Sequence, residues 1–280
     1  MRAHRSTVLA SLLLLSTGCG NGSAASTGPV QVPAHIDHAE WDRLLRVYVD
    51  ERGLVDYGGW KASAADRGAL SRYLERFTPE VRPAAEGKDE AAALINAYNA
   101  LTIAWILANY PTRSIRSLDG SFDTARHRVG GRRVSLDDIE HKALRPRVGF
   151  RVHAALVCAA RSCPPLARDA YLPERLDEQL DAALRRWLAR EDLNRFSPAE
   201  SKAEVSSIFK WFAEDFEKVG GVRGVLKTYG PPVARTLADD PRLKIEYLPY
   251  DWSLNDRAPR SGSYGRLRLL WDRLRDRLKT

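Results

Sequence analysis

Beyond residue 30 the chain holds two thiols, both in one stretch: His153-Ala-Ala-Leu-Val-Cys158-Ala-Ala-Arg-Ser-Cys163-Pro164-Pro165. The spacing of His153, Cys158 and Cys163 by fives invites a metal site, but geometry argues against one. Five residues along a helix leave successive side chains about 140° apart, and an odd step along a strand puts them on opposite faces. A C-x4-C pair without a second pair also falls short of a tetrahedral zinc site, so neither metal nor other cofactor is expected. Nucleophilic chemistry suits these residues better. Pro164 and Pro165 keep Cys163 out of the right-handed helical region and allow it to stand near a helix N-terminus, where free amides draw a thiol toward thiolate. Cys158, inside Ala-Leu-Val-Cys-Ala-Ala, reads as a small buried apolar residue. Two alternatives stay open: a Cys158–Cys163 disulfide, because exported compartments are oxidising, or two inert thiols.

A nucleophilic thiolate needs a base and a group that orients the base. His127, His141 and His153 are the candidates for the base. His127 lies among arginines and is expected at the surface. Glu140 and His141 are adjacent on a predicted helix, about 100° apart, and need not face the same way. His153 sits in an apolar segment and must find a hydrogen-bond partner there; a satisfied core histidine would look the same.

The elements that must hold these groups are mostly helical. Trp41, Leu44, Leu45 and Tyr48 follow helical spacing, Gly53–Tyr57 reads as a short extended piece, and Leu70, Tyr73, Leu74 and Phe77 mark a second helix stopped by Pro79. Residues 90–110 are apolar on nearly all sides, as a helix in the middle of a core would be. Its Asn96 and Asn99, one turn apart, need polar partners; they either line the cleft and bind substrate or form a structural amide network. A hairpin is expected at 126–134 across Gly130-Gly131, and Ser135-Leu-Asp-Asp138 reads as a capping box opening a helix through Arg145. Residues 151–157 are ambiguous between strand and helix. Leu176, Leu180, Leu184 and Leu188 define a further helix, and Ile208, Trp211, Phe212 and Phe216 another that ends at Gly220-Gly221. A late strand is expected at 243–250. Together these predict an α+β fold, a predominantly helical single domain with a small sheet and no internal repeat.

The 280 residues can bury a core without staples, and three cysteines are too few for a disulfide scaffold. The net charge of +8 is unevenly placed. Residues 257–280 carry eight basic residues against Asp272 and Asp276, Arg2 and Arg5 lie in 1–18, and 19–256 is neutral. A neutral body lacks the clustered positive face that nucleic acid requires, so no nucleic-acid partner is expected. In the basic tail, Leu267, Leu270, Trp271, Leu274 and Leu278 fall on one stripe, which fits a helix lying on an anionic bilayer or one packed on the domain.

At the other end, a positive n-region and a short apolar run at 8–15 have the form of an export signal. They lead into Ser16-Thr17-Gly18-Cys19, which resembles the lipobox of bacterial lipoproteins, although Leu is usual where Ser16 stands. The resemblance implies acylation of Cys19 and a lipid-bilayer partner. Residues 19–34 then form an uncharged flexible tether, residues 35–256 the domain and 257–280 the tail. Gly20 after Cys19 implies a periplasm-facing position at the bacterial outer membrane.

Five ordered blocks closely resemble the domain-of-unknown-function 547 family: Asn96-Ala-Tyr98-Asn99-Ala-Leu; Ser135-Leu-Asp-Asp-Ile-Glu140-His141; Val152-His153 through Cys163-Pro164-Pro165-Leu; Ser207-Ile-Phe-Lys210-Trp211-Phe-Ala-Glu-Asp215-Phe; and Tyr250-Asp251-Trp252-Ser-Leu-Asn255. The resemblance spans about Trp41 to Asn255. It implies one site resembling a thiol hydrolase of Cys–His–acid type, with Cys163 as nucleophile, His153 as the base, Glu140 as its orienter and His141 as a substitute base. Asp251 and Asn255 are expected to fasten loops. The resulting expectation is a cell-envelope lipoprotein hydrolysing or transferring an amide or peptide-like bond of an unidentified small molecule or peptide. The alternative is a non-catalytic ligand- or protein-binding domain that keeps a Cys158–Cys163 bridge.

Overall fold

A run such as 87–108, with almost no polar residue outside its first turn, can hide its surface only by lying inside other elements. The computed structural model, which describes residues 29–80 and 83–258, places it there. Helix α4 (Gly87–Ala108) is buried from Glu90 through Ile103. It is long and apolar enough to cross a membrane, yet 83% of its apolar window is covered by the rest of the protein. Cys19 and the 265–280 stripe lie outside the described residues.

Against α4 pack α2 (Tyr57–Ala62) and α3 (Ala64–Glu75), and α1 (Ala39–Tyr48) packs on these two. The apolar face of α1 is Trp41, Leu44, Leu45 and Tyr48. Trp41 stacks on Tyr73 of α3 at 5.7 Å and Tyr48 on Trp60 of α2 at 4.6 Å. Strands β1 (His127–Val129) and β2 (Arg132–Val134) form the expected hairpin, with His127 opposite Val134. His127 departs from the surface expectation. Its Nε2 is buried with no hydrogen-bond partner among the described residues, and burial lowers its pKa to about 4.

Beyond the hairpin, the Ser135 capping box forms as read: Ser135 Oγ accepts from Asp138 N at 3.0 Å, and Ser135 N donates to the Asp138 carboxylate at 2.9 Å. The element it opens is a π-helix (Asp138–Leu144) running into the one-turn α5 (Arg145–Val148). Arg145 N reaches back five residues to Glu140 O. Pro146 supplies the reason: it has no N–H to donate, and its ring would clash with a carbonyl four residues back in a regular α-turn. A 3-10 turn (Gly149–Ala154) follows and resolves the ambiguous stretch.

The remainder comprises α6 (Leu176–Leu188), β3 (Arg195–Ser197), β4 (Lys202–Ser206), α7 (Ile208–Trp211), α8 (Ala213–Glu217), α9 (Gly221–Tyr229), α10 (Pro232–Ala238) and β5 (Lys244–Leu248). Strand β4 pairs antiparallel with β3 and parallel with β5. A parallel partner requires a crossover, which α7 to α10 provide. The helix expected from Ile208 to Gly220 is two pieces, broken at Phe212. The architecture is α+β and predominantly helical, with two small sheets.

Candidate active site

The cysteine segment is held from two sides. From α4, Asn99 donates to Ala155 O and accepts from Val157 N, both at 2.9 Å. One turn earlier, Asn96 does the same for Tyr171, at 2.7 and 2.9 Å. Each amide thus clamps a passing strand of backbone as a β-partner would. Neither lines the cleft described below. The substrate-binding expectation for Asn96 and Asn99 is corrected: their polar ends are spent on positioning the loop.

On the other side, the segment after Tyr250 zips against the cysteine loop. Asn255 N donates to Ala159 O, Arg161 N to Ser253 O and Ser162 N to Asp251 O, while Asp251 N returns a bond to Ser162 Oγ. Asp251 and Asn255 fasten loops as expected, and Tyr57 adds a hydroxyl bond to Asn255. Gly53 permits a further close approach. At φ +76°, a Cβ there would stand 2.5 Å from Leu166 N and 2.6 Å from Pro165 Cα.

Cys158 and Cys163 are joined by a disulfide, the pairing that the alternative reading expected. In this state Cys163 is no nucleophile. Two details of the sequence reading change. No helix follows Pro164, so Cys163 is not at a helix N-terminus; its Sγ instead accepts the Cys158 backbone N–H at 3.0 Å and the Tyr250 hydroxyl at 3.2 Å, a hydroxyl that stands equally close to Cys158 Sγ. Cys158 is half-buried and lines the cleft instead of filling the core. Tyr250 keeps its proton, because burial pushes its phenol well above the usual range, aided by the Glu140 and Asp251 charges.

Both sulfurs open into a cleft of about 180 Å³ shared with Glu140, His141, His153 and Trp211. His153 is 4% exposed and stacks on Phe212 at 4.1 Å. Its Nε2 meets Asp215 Oδ2 at 2.9 Å. Arg145 Nε holds the same carboxylate oxygen at 2.7 Å and Lys218 reaches Oδ1 at 3.4 Å. Burial opposes the charge on Asp215, but the hydrogen bonds from Arg145 and His153 outweigh it and hold the carboxyl down to about 2. Burial lowers His153 to about 4 despite Asp215. At neutral pH the pair is therefore a carboxylate and a neutral imidazole, with the proton on Nε2 and the lone pair on Nδ1.

Glu140 was expected to orient His153, and the structure pairs it elsewhere. Its Oε2 accepts from Tyr98 at 3.2 Å. Burial, with the Asp137 and Asp215 charges, raises its carboxyl to about 7 against the opposing Tyr98 bond. The carboxylate bonded to His153 is that of Asp215 in α8. His141 is poorly suited as a substitute base: the Arg145 guanidinium donates to its Nδ1 at 3.1 Å, and its Nε2 stands 3.8 Å from Asp137. Sequence reasoning quoted Asp215 and Tyr250 within blocks without giving either a role. The available signal was a pair of acids, Glu214 and Asp215, between aromatic residues at 211–216.

Residues 84–188 match the family model described as a protein of unknown function, DUF547. The matched segment is well under half of the chain and shorter than the Trp41–Asn255 resemblance. It carries the asparagine clamps, Glu140, His141, His153 and both cleft cysteines, but stops before Trp211, Asp215 and Tyr250. No curated protein and no solved structure matches the chain at a significant level.

Proposed function

We propose that this domain is a cysteine-dependent acyl-transfer enzyme, a hydrolase of an amide or peptide-like bond, carried as a lipoprotein of the bacterial envelope. The observation that carries the reading is the double donation to Cys163 Sγ, from Cys158 N–H and the Tyr250 hydroxyl, in the same cleft as the His153–Asp215 pair. Two donors on a sulfur favour its thiolate, and a neutral imidazole held by a carboxylate is a competent base. The disulfide is then the oxidised resting form, opened by a dithiol reductant that takes up the bridge and leaves two thiols. In the reduced form His153 Nδ1 takes the Cys163 proton. The thiolate adds to the acyl carbon, and the imidazolium returns the proton to the departing amine. Water, deprotonated by the same nitrogen, then attacks the thioester and releases the acid and the thiol. Envelope placement is supported by the lipobox-like run ending at Cys19.

A second reading is favoured by the bridge itself: a non-catalytic binding domain whose Cys158–Cys163 disulfide is permanent. The pH dependence of Cys163 alkylation by iodoacetamide, followed by mass spectrometry after mild dithiothreitol treatment, separates the two. The expected apparent pKa lies well below the free-thiol value of about 8.5, rises in His153→Ala and Tyr250→Phe, and is unmoved in His141→Ala. An ordinary pKa indifferent to His153, or a bridge that resists the reductant in the folded protein, overturns the enzyme reading and leaves the binding domain.

A further inference from the structure

The cleft has a charge pattern that the acyl-transfer chemistry does not use. Asp137 and Glu140 line it, and no lysine or arginine does among the described residues. Its two histidines are lowered by burial and add no positive charge at neutral pH. Arg145, beside the cleft, is spent on Asp215 and on His141 Nδ1. The same cleft is lined by three packed aromatic rings. The Tyr250 ring lies 4.6 Å from Trp252 and 4.7 Å from Trp211, and Trp211 and Trp252 stack at 5.8 Å. Rings of this cleft already carry cations elsewhere: Arg116 lies over Trp252 at 4.8 Å and Arg145 over Phe212 at 5.0 Å. Trp211 is 41% exposed.

Aromatic faces and two carboxylates lining one partly desolvated cleft make the environment that recognises an ammonium group. Above about pH 7, where Glu140 is ionised, an anionic ligand would meet two negative charges and no lining cation, and a purely apolar one would strand both carboxylates. We infer that the cleft seats a protonated amine between the Trp211 ring and the carboxylates of Asp137 and Glu140. Its substrate is thus a peptide or amide carrying a cationic group beside the bond to be cut. The word substrate rests on the acyl-transfer reading; the ammonium site does not.

The test titrates the full chain with butylammonium, 1-butanol and butyrate at pH 8 and low salt, read by tryptophan fluorescence. Butylammonium is expected to bind about tenfold tighter than butanol, with butyrate weakest. Asp137→Asn and Trp211→Ala should each weaken butylammonium severalfold. Butanol binding as well as butylammonium, or butyrate binding better, overturns the inference in the unmutated protein. Insensitivity of butylammonium to both Asp137→Asn and Trp211→Ala overturns it as well. Ammonium selectivity together with an ordinary Cys163 pKa would keep this inference and sink only the enzyme.

Discussion

At the scale of single residues, the cleft is organised by polar groups facing away from it. Asn99 leaves Ala155 O and Val157 N no other partner in the core, so it fixes where the chain runs into Cys158. Asn99→Leu should therefore cost far more than a lost side-chain contact. Each buried backbone group left unsatisfied costs about 1–3 kcal/mol, and two are stranded. Urea unfolding should show a loss of that order for each group. A loss below about 1 kcal/mol would mean that water or a rearranged loop replaces the clamp. The sequence made this role half legible. Two asparagines on an all-apolar helix must have partners, but helical spacing cannot say whether those partners are backbone or substrate. Cys163 and His153 were legible from residue type and context, because a thiol before two prolines and an imidazole among aliphatic residues are both unusual. Asp215 was not, because nothing local ties a carboxylate of α8 to a histidine sixty-two positions earlier.

At the scale of elements, the legible features were those set by local periodicity, and the missed ones were set by interruption. Helices α1, α3, α4 and α6 and the hairpin follow from spacing and glycine placement. The π-turn at Asp138–Leu144 does not, because a 3.6-residue pattern gives no sign of a wider turn, although Pro146 marks the place. The break at Phe212 has the same character. It sends Phe212 onto His153 and Trp211 to the mouth of the cleft, where one continuous helix would have kept both on a single stripe. Strands β3 and β4 were too short for alternation to register, and β4 is stabilised by a partner forty residues away. The capping box is the device that starts the element carrying Glu140 and His141. Ser135→Ala should lower stability by about 1 kcal/mol in chemical denaturation. It should also shift the Tyr98 environment in near-ultraviolet circular dichroism, because Glu140 loses its anchor. A variant as stable as the parent would show that the π-turn is held by its packing on α4 and not by its cap.

For the whole molecule, the distribution of buried ionisable groups dictates how stability responds to acid. Three histidines are neutral inside the fold: His38, bonded to the Tyr73 hydroxyl, His127 and His153. Burial lowers each to about 4, against about 6.5 in an unfolded chain. The folded state binds fewer protons than the unfolded state between these values, so stability is complete above pH about 6.5 and is lost as pH falls toward 4. Glu140 works in the opposite sense. Its carboxyl, raised to about 7 by burial, holds a proton in the folded state that the unfolded state has released, so its contribution declines as pH rises through the same window. His141, lowered by burial, sides with the histidines, and Glu90 and Asp137, raised by burial, side with Glu140. Three histidines against one glutamate leave a net uptake of about two protons on unfolding between pH 4.5 and 6.5. Urea midpoints measured across that range should climb with pH accordingly. Glu140→Gln should steepen the climb by about one proton, and His38→Gln should flatten it by about one. A profile that falls with pH in the parent protein would mean that these imidazoles are charged in the folded state and leave Glu140 unopposed. Nδ1 of His153 would then carry a proton already and could not accept one from Cys163, so the same titration tests the base on which the chemistry of the cleft depends.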